Sequence, residues 1–305
     1  MKKWFYKVYG LIVESDIEIP ELLSIDKNEN KVDIKIKKDI IPKDVIEKIP
    51  SYSWFKYDVD SMVFTVKNIG SFYIYDGKNI VVQPSENADN QGIKTFILGT
   101  SFGMILLQRN KVAIHGGAIL IEENAIILTG QSGAGKSTLT NYFRHYEYPF
   151  MADDVCSTIE LQDEIFIEPA YPQQKICRDA MEKIGYRIDD FKLIDEDREK
   201  YVIPTHESFV KEKRKLKAIF EIEPYDGEEV KIEEVSGGEK MKIILRNIYR
   251  IEIIVPHGIP PTYFKKVINI AKNTLVFRIK RPRDQFSVDR QIELIERELM
   301  LKCNV

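Results

Sequence analysis

Residues 130–137 read Gly130-Gln131-Ser132-Gly133-Ala134-Gly135-Lys136-Ser137, and Thr138 follows. The run fits G-x-x-x-x-G-K-[ST] in full. Such glycines let the backbone curl until successive N–H groups point at phosphate oxygens. Lys136 offers a positive charge to the β- and γ-phosphates, and the Ser137 hydroxyl is a ligand for Mg²⁺. A helix starting at this point adds its positive dipole end. The chemistry expected is the holding of ATP with Mg²⁺. The plainer alternative is a chance match in a glycine loop, but an apolar run precedes it and an amphipathic one follows.

Asp153 and Asp154 come 17 and 18 residues after Lys136. One carboxylate near a phosphate loop serves a metal shell, and two suggest divided labour. Neighbours on a strand point to opposite faces, so both can face one ligand only where the strand ends and the backbone turns. One could then take a proton from an acceptor hydroxyl while the other serves the metal. An exposed Asp-Asp turn is the bland alternative. His115 lies fifteen residues before Gly130, beside Gly116-Gly117, where small residues permit close approach. A lone strand histidine is more often structural. His145, His206 and His257 have no such setting.

The elements that must position these residues can be outlined. Residues 112–121 and 125–129 read as strands with only Glu122-Glu123-Asn124 between them. A gap that short requires an antiparallel hairpin, which folds His115 back toward the loop. A helix is expected over 136–146 and a short strand into Asp153-Asp154. The first ninety residues read as strands at 32–37, 62–67, 71–75 and 79–83, with Asp76-Gly77 as a hairpin turn and a short helix at 43–48. Trp4, Phe5, Tyr6 and Tyr9 are read as core in preference to a groove lining. A buried helix is expected over 93–108. Further on, 217–223 and 230–235 are expected to pair as a hairpin around Asp226-Gly227, with helices over 239–249, 261–273 and 284–301 and a strand over 274–279. The polar stretch 84–92 sets the expected boundary between a small β-rich domain, 1–90, and a nucleotide-binding domain, 91–305.

The chain of 305 residues carries a net charge of −3, with 44% hydrophobic and 30% charged residues. Slight acidity argues against nucleic acid as the main partner. No apolar run approaches the roughly 20 residues of a membrane helix. Cys156, Cys177 and Cys303 are odd in number and unpatterned, as expected of reduced thiols in a cytoplasmic protein. The basic run 211–217 is read as solvated, with a docking site for acidic peptide or phosphate as the alternative. Lys175 and Arg178 are candidates to reach the transferred phosphate or the acceptor, Lys175 the stronger, because phosphoryl transfer needs cationic charge beyond one lysine.

The stretch IHGGAILIEENAIILTGQSGAGKST followed by FMADDV resembles the HPr kinase/phosphorylase family and its phosphoenolpyruvate-carboxykinase-like fold. The resemblance implies an α/β fold of α+β type, with a mixed sheet in the phosphate-loop core. It matches His115 to an active-site histidine, Asp153 to the aspartate that deprotonates the acceptor serine, and Asp154 to its partner near the metal. Where that family carries an acidic-Leu/Ile-Arg-Gly signature, this chain has EPAYPQQKICRDAMEKIG. That segment, with YGLIVESDIEIPEL, KYVIP and SGGEK, is similar to the HPr-kinase-like enzymes of peptide natural-product clusters, notably the lasso-peptide kinases. The implied reaction is ATP γ-phosphate transfer to a serine at the C-terminal end of a precursor peptide. Two alternatives remain open. One is a kinase of an HPr-like protein or small-molecule hydroxyl. The other is a nucleotide-dependent switch without an acceptor. Oligomeric assembly is left open.

Overall fold

The computed structural model describes residues 2–27, 31–195 and 199–303. The chain is mixed α/β and forms two compact units, residues 1–113 with 250–263, and residues 114–249 with 264–305.

The first unit is built on a mixed eight-stranded sheet. Trp4–Val8 and Leu11–Ser15 form a hairpin through Tyr9-Gly10, both at positive φ. Leu11–Ser15 and Asn79–Pro84 lie parallel on either side of Ile34–Lys38. Gly70–Tyr75, Ser61–Val66 and Phe55–Asp58 continue the sheet antiparallel. Asp76 and Gly77 both take positive φ at the expected turn. One face packs Val13, Ile34, Phe64, Phe72, Ile80 and Val82 into the core. Tyr6 and Tyr9 are buried as expected, and the Tyr6 hydroxyl accepts the Ile19 N–H at 2.8 Å.

The division falls after Ala113, and not at residue 90, for a physical reason. Asn90–Phe96 and Phe102–Gln108 run on through a π-helical turn, Ile97–Ser101, and this expected buried helix belongs to the first sheet. Gln108 accepts the Gly77 N–H, and the Arg109 guanidinium donates to the Gly77 carbonyl and pairs with Asp33. The polar stretch is therefore the run-up to a helix capped by Asp89, whose carboxylate accepts the Gly92 N–H.

The second unit contains a second eight-stranded sheet. Ala113–Ile121 and Asn124–Thr129 form the expected antiparallel hairpin, in a register running from Asn124 opposite Ile121 to Thr129 opposite Gly116. Phe150–Ala152 adds to the outer side of the first of these strands. Asn124–Thr129 also pairs parallel with Arg214–Tyr225, which in turn pairs parallel with Leu275–Pro282. Here the expectation of a hairpin around Asp226-Gly227 is overturned. Lys231–Glu234 pairs with Leu275–Pro282 instead, so that strand lies between the two expected partners. Burial explains the order. Ile219, Phe220 and Ile222 are apolar on both faces and need a buried strand on each side, and Phe277 stacks on Phe220 with ring centres 4.9 Å apart. The largely exposed KIEE segment suits an edge. The Asp226 carboxylate pairs with Arg283 at 3.2 Å instead of serving a two-stranded turn.

A small third sheet joins Gln173–Cys177, Lys200–Pro204 and Lys192–Asp195. Among the described residues no helix is long and apolar enough to cross a membrane.

Candidate functional site

The apolar strand Asn124–Thr129 delivers the chain into the 130–135 loop, and the helix Lys136–His145 leaves it. Gly130 and Gly135 stand at φ 138° and 104°, a region that L side chains resist. At Gly130 a Cβ would also lie 2.5 Å from the Ile222 carbonyl oxygen. The first-turn N–H groups of this helix have no intrahelical partner and open onto the loop. The Lys136 side chain is buried and folds back, its ammonium donating to the carbonyls of Gly130 at 2.7 Å and Gln131 at 2.9 Å. Burial pulls its pKa down.

The hairpin register carries His115 back as expected. Continuing from the Thr129–Gly116 pair places His115 level with Gly130, and Thr129 Oγ1 donates to the His115 carbonyl at 2.6 Å. The His115 N–H donates to the Asn247 carbonyl at 2.7 Å. Gly117 is required by packing, since a Cβ there would sit 2.3 Å from Thr140 Oγ1 on the helix.

The two aspartates occupy the break between Phe150–Ala152 and Val155–Leu161. Asp154 takes φ 73°, and the Val155 N–H donates to the Asp153 carbonyl at 2.9 Å. This is the backbone turn that lets consecutive carboxylates share one site. The Gly116 N–H donates to the Asp154 carbonyl at 3.2 Å, tying the turn to the hairpin. Lys175 then joins both side chains. Its backbone N–H donates to Asp153 at 2.9 Å, and its ammonium lies 3.2 Å from an Asp154 oxygen. His115 Nδ1 lies 3.2 Å from the other Asp154 carboxylate oxygen.

These contacts drive the two carboxyls apart. Burial first, and the neighbouring Asp154 charge second, push Asp153 up to about 6, against the pull of the Lys175 N–H. Burial also opposes the charge on Asp154, but Lys175 and His115 together overcome it and hold its carboxyl well below the ordinary value. Burial likewise opposes the Lys175 charge, and Asp154 more than restores it, so the ammonium is strongly retained. Two carboxylates separated in this way can act as a proton acceptor and a fixed anion. Lys136 feels the charges of both.

The structure thus links His115, Asp154, Lys175 and Asp153 in one chain of contacts and sets both carboxylates in the electrostatic reach of Lys136. It does not bring Arg178 there: that side chain is exposed, paired with Glu182 at 3.1 Å and Glu199 at 3.0 Å. His145 ends its helix, His206 is exposed, and His257 lies against Tyr57 in the first unit. Two neighbours lacked a readable signal. Lys200 pairs across from Cys177 in the third sheet, and its charge reaches Asp153 and Lys136. Asn247 holds the His115 backbone, and its side chain donates to the buried Glu221 at 3.0 Å. Cys156 and Cys177 are free thiols, Cys156 buried with its Sγ 3.2 Å from the Gly116 carbonyl oxygen; the side chain of Cys303 lies outside the described residues.

Among the described residues no three His, Cys, Asp or Glu side chains are arranged to hold a metal by themselves. Ser137 and Asp154 nonetheless suit Mg²⁺, which commonly takes one or two protein oxygens and completes its shell with water and phosphate.

No protein-family profile matches the chain. No curated protein matches it either. A solved structure described as the HPr(Ser) kinase/phosphatase from Coxiella burnetii is similar over 63% of this chain and 99% of that one, at 14% identity and a TM-score of 0.33. At that level of likeness, the chemistry of the site rests on its own geometry.

Proposed function

We propose that the protein is an ATP- and Mg²⁺-dependent kinase that moves a phosphoryl group to an alcohol. The observation carrying this reading is the aspartate pair: two carboxyls in sequence, one raised toward neutrality and one held ionised, bridged by Lys175 beside a glycine loop. A switch protein has no hydroxyl to deprotonate and no need of such a pair.

In this reading residues 130–138 hold the nucleotide phosphates, with the Lys136 ammonium exchanging its loop carbonyls for phosphate oxygens. Asp153 takes the proton of the acceptor hydroxyl, a task suited to a base whose pKa lies near the working pH. Lys175 fixes both carboxylates in place, and His115 supports Asp154 from the hairpin side. Ser137 and Asp154 are the residues that would hold Mg²⁺, and the ion would draw charge from the phosphates. The low exposure of Asp153 keeps bulk water from competing for its proton-accepting oxygen.

The acceptor we infer is a serine hydroxyl at the C-terminal end of a precursor peptide. Support comes from the likeness of the 168–176 and 200–204 segments to lasso-peptide kinases. Incubation with γ-labelled ATP and either a short peptide ending in serine or a folded serine-bearing protein tests it. Label on the peptide is expected; label on the folded protein alone overturns the peptide assignment, and label on neither overturns the kinase reading.

A further inference from the structure

Beside residues 131–134 opens a cavity of about 560 Å³. Its far wall is made by the ends of the parallel strands Arg214–Tyr225 and Leu275–Pro282, and it is rich in cations. All four of them are committed. Arg246 donates to Glu221 at 2.7 Å. Arg278 binds Glu239 at 2.7 Å and Glu223 at 3.1 Å. Lys280 faces Glu233 at 3.7 Å, and Arg283 faces Asp226 at 3.2 Å.

Arg281, which is not among the residues lining that cavity, is different. Its guanidinium leans on the glycine loop itself, Nε donating to the Ala134 carbonyl at 2.8 Å. A Cβ added at Gly135 would lie 3.3 Å from that Nε. A second N–H donates to the Pro282 carbonyl at 3.0 Å. Among the described residues no carboxylate pairs with it. A guanidinium has five N–H donors in a planar fork, and two are used here, both on backbone. Burial and the nearby Arg283 charge work against its cationic form. It is therefore a half-buried cation without a countercharge, touching the loop proposed to hold phosphates. Lys175, the expected second cation, is tied to Asp154 and cannot serve the phosphates without releasing it.

We propose that Arg281 is the second cationic ligand of the nucleotide, its free N–H groups reaching a phosphate oxygen at the 134–135 side of the loop. This rests on the reading of residues 130–138 as a nucleotide site. A guanidinium already fixed by the Ala134 carbonyl loses little freedom on taking a phosphate, and its fork suits that ligand.

Calorimetric titration of the full chain with ATP and with adenosine, each with Mg²⁺, tests the assignment. R281Q is expected to weaken ATP binding by about tenfold, as the loss of a charge-assisted bond implies, and to leave adenosine binding unchanged. R281K, which keeps the charge and loses the fork, should fall between and serves as the reading if R281Q does not fold. ATP affinity within about twofold of wild type in R281Q, or equal losses for ATP and adenosine, overturns the proposal. Wild-type protein that binds no ATP overturns the nucleotide site as well.

Discussion

The backbone N–H of Lys175 donates to the carboxylate of Asp153 at 2.9 Å. Its side chain meets the next residue, Asp154. One residue thus steadies two carboxylates through different groups, and most substitutions remove only the side-chain one. The Asp153 contact survives any change at 175 other than proline.

Replacing Asp153 by Asn should abolish transfer while leaving ATP binding intact. Loss of a general base costs about a hundredfold or more. The fold resists ionisation of Asp153, so its charge subtracts stability as pH rises from 3.8 through about 6. A neutral amide at this position carries no such penalty. Urea melts at pH 8 should therefore place the variant level with or above wild type. A variant that phosphorylates at near the normal rate removes Asp153 from the chemistry.

The transfer rate should rise as pH passes through about 6, the point at which Asp153 gives up its proton. Single-turnover rates between pH 5 and pH 8 measure this, at saturating ATP, with about tenfold loss per pH unit on the acid limb. A flat profile assigns proton removal elsewhere.

Substituting Lys175 by Met leaves Asp154 without its cation. Asp154 has a depressed carboxyl, so its contribution to stability is present above the ordinary carboxylate range and is lost as pH falls through the depressed value. K175M should be destabilised at pH 7 by about 2 kcal/mol, the scale of breaking a partly buried pair. The gap should narrow on acidification, because a protonated Asp154 no longer needs the ammonium. Denaturant midpoints at pH 7 and at pH 3, below the ordinary carboxylate value of 3.8, give the comparison.

Gly117→Ala drives a methyl to within 2.3 Å of Thr140 Oγ1. The expected cost is about 1–3 kcal/mol from overpacking between strand and helix. Adding Thr140→Ala should recover part of it, since two of the three crowding atoms disappear. A double variant no more stable than the single one would place the strain elsewhere.

Much of the site was legible because its parts are local. The short Glu122-Glu123-Asn124 gap forces a hairpin and so turns His115 back toward the loop, and the observed register then sets its level. The Asp153-Asp154 pair was readable as chemistry only on condition that the chain turn there, and the φ of 73° at Asp154 meets that condition. Lys175 was visible as a charge but not as a bridge, because its partners lie 21 and 22 residues away in sequence. Lys200 and Arg281 left no local trace, since pairing in the third sheet and contact with a loop 147 residues distant are set by tertiary structure alone. The hairpin expected at Asp226-Gly227 failed for the same reason. Turn chemistry reports a bend, whereas strand order follows from which strands need two buried neighbours.

The chain passes between its two compact units three times, after Ala113, Tyr249 and Tyr263. Synthesis must therefore reach residue 263 before the first unit has all of its own chain, although most of it left the ribosome as the first 113 residues. Neither unit is a contiguous cassette. A single cut cannot release either one whole, and a ribosome that stalls before residue 250 strands both in an unfinished state, exposed to misassembly.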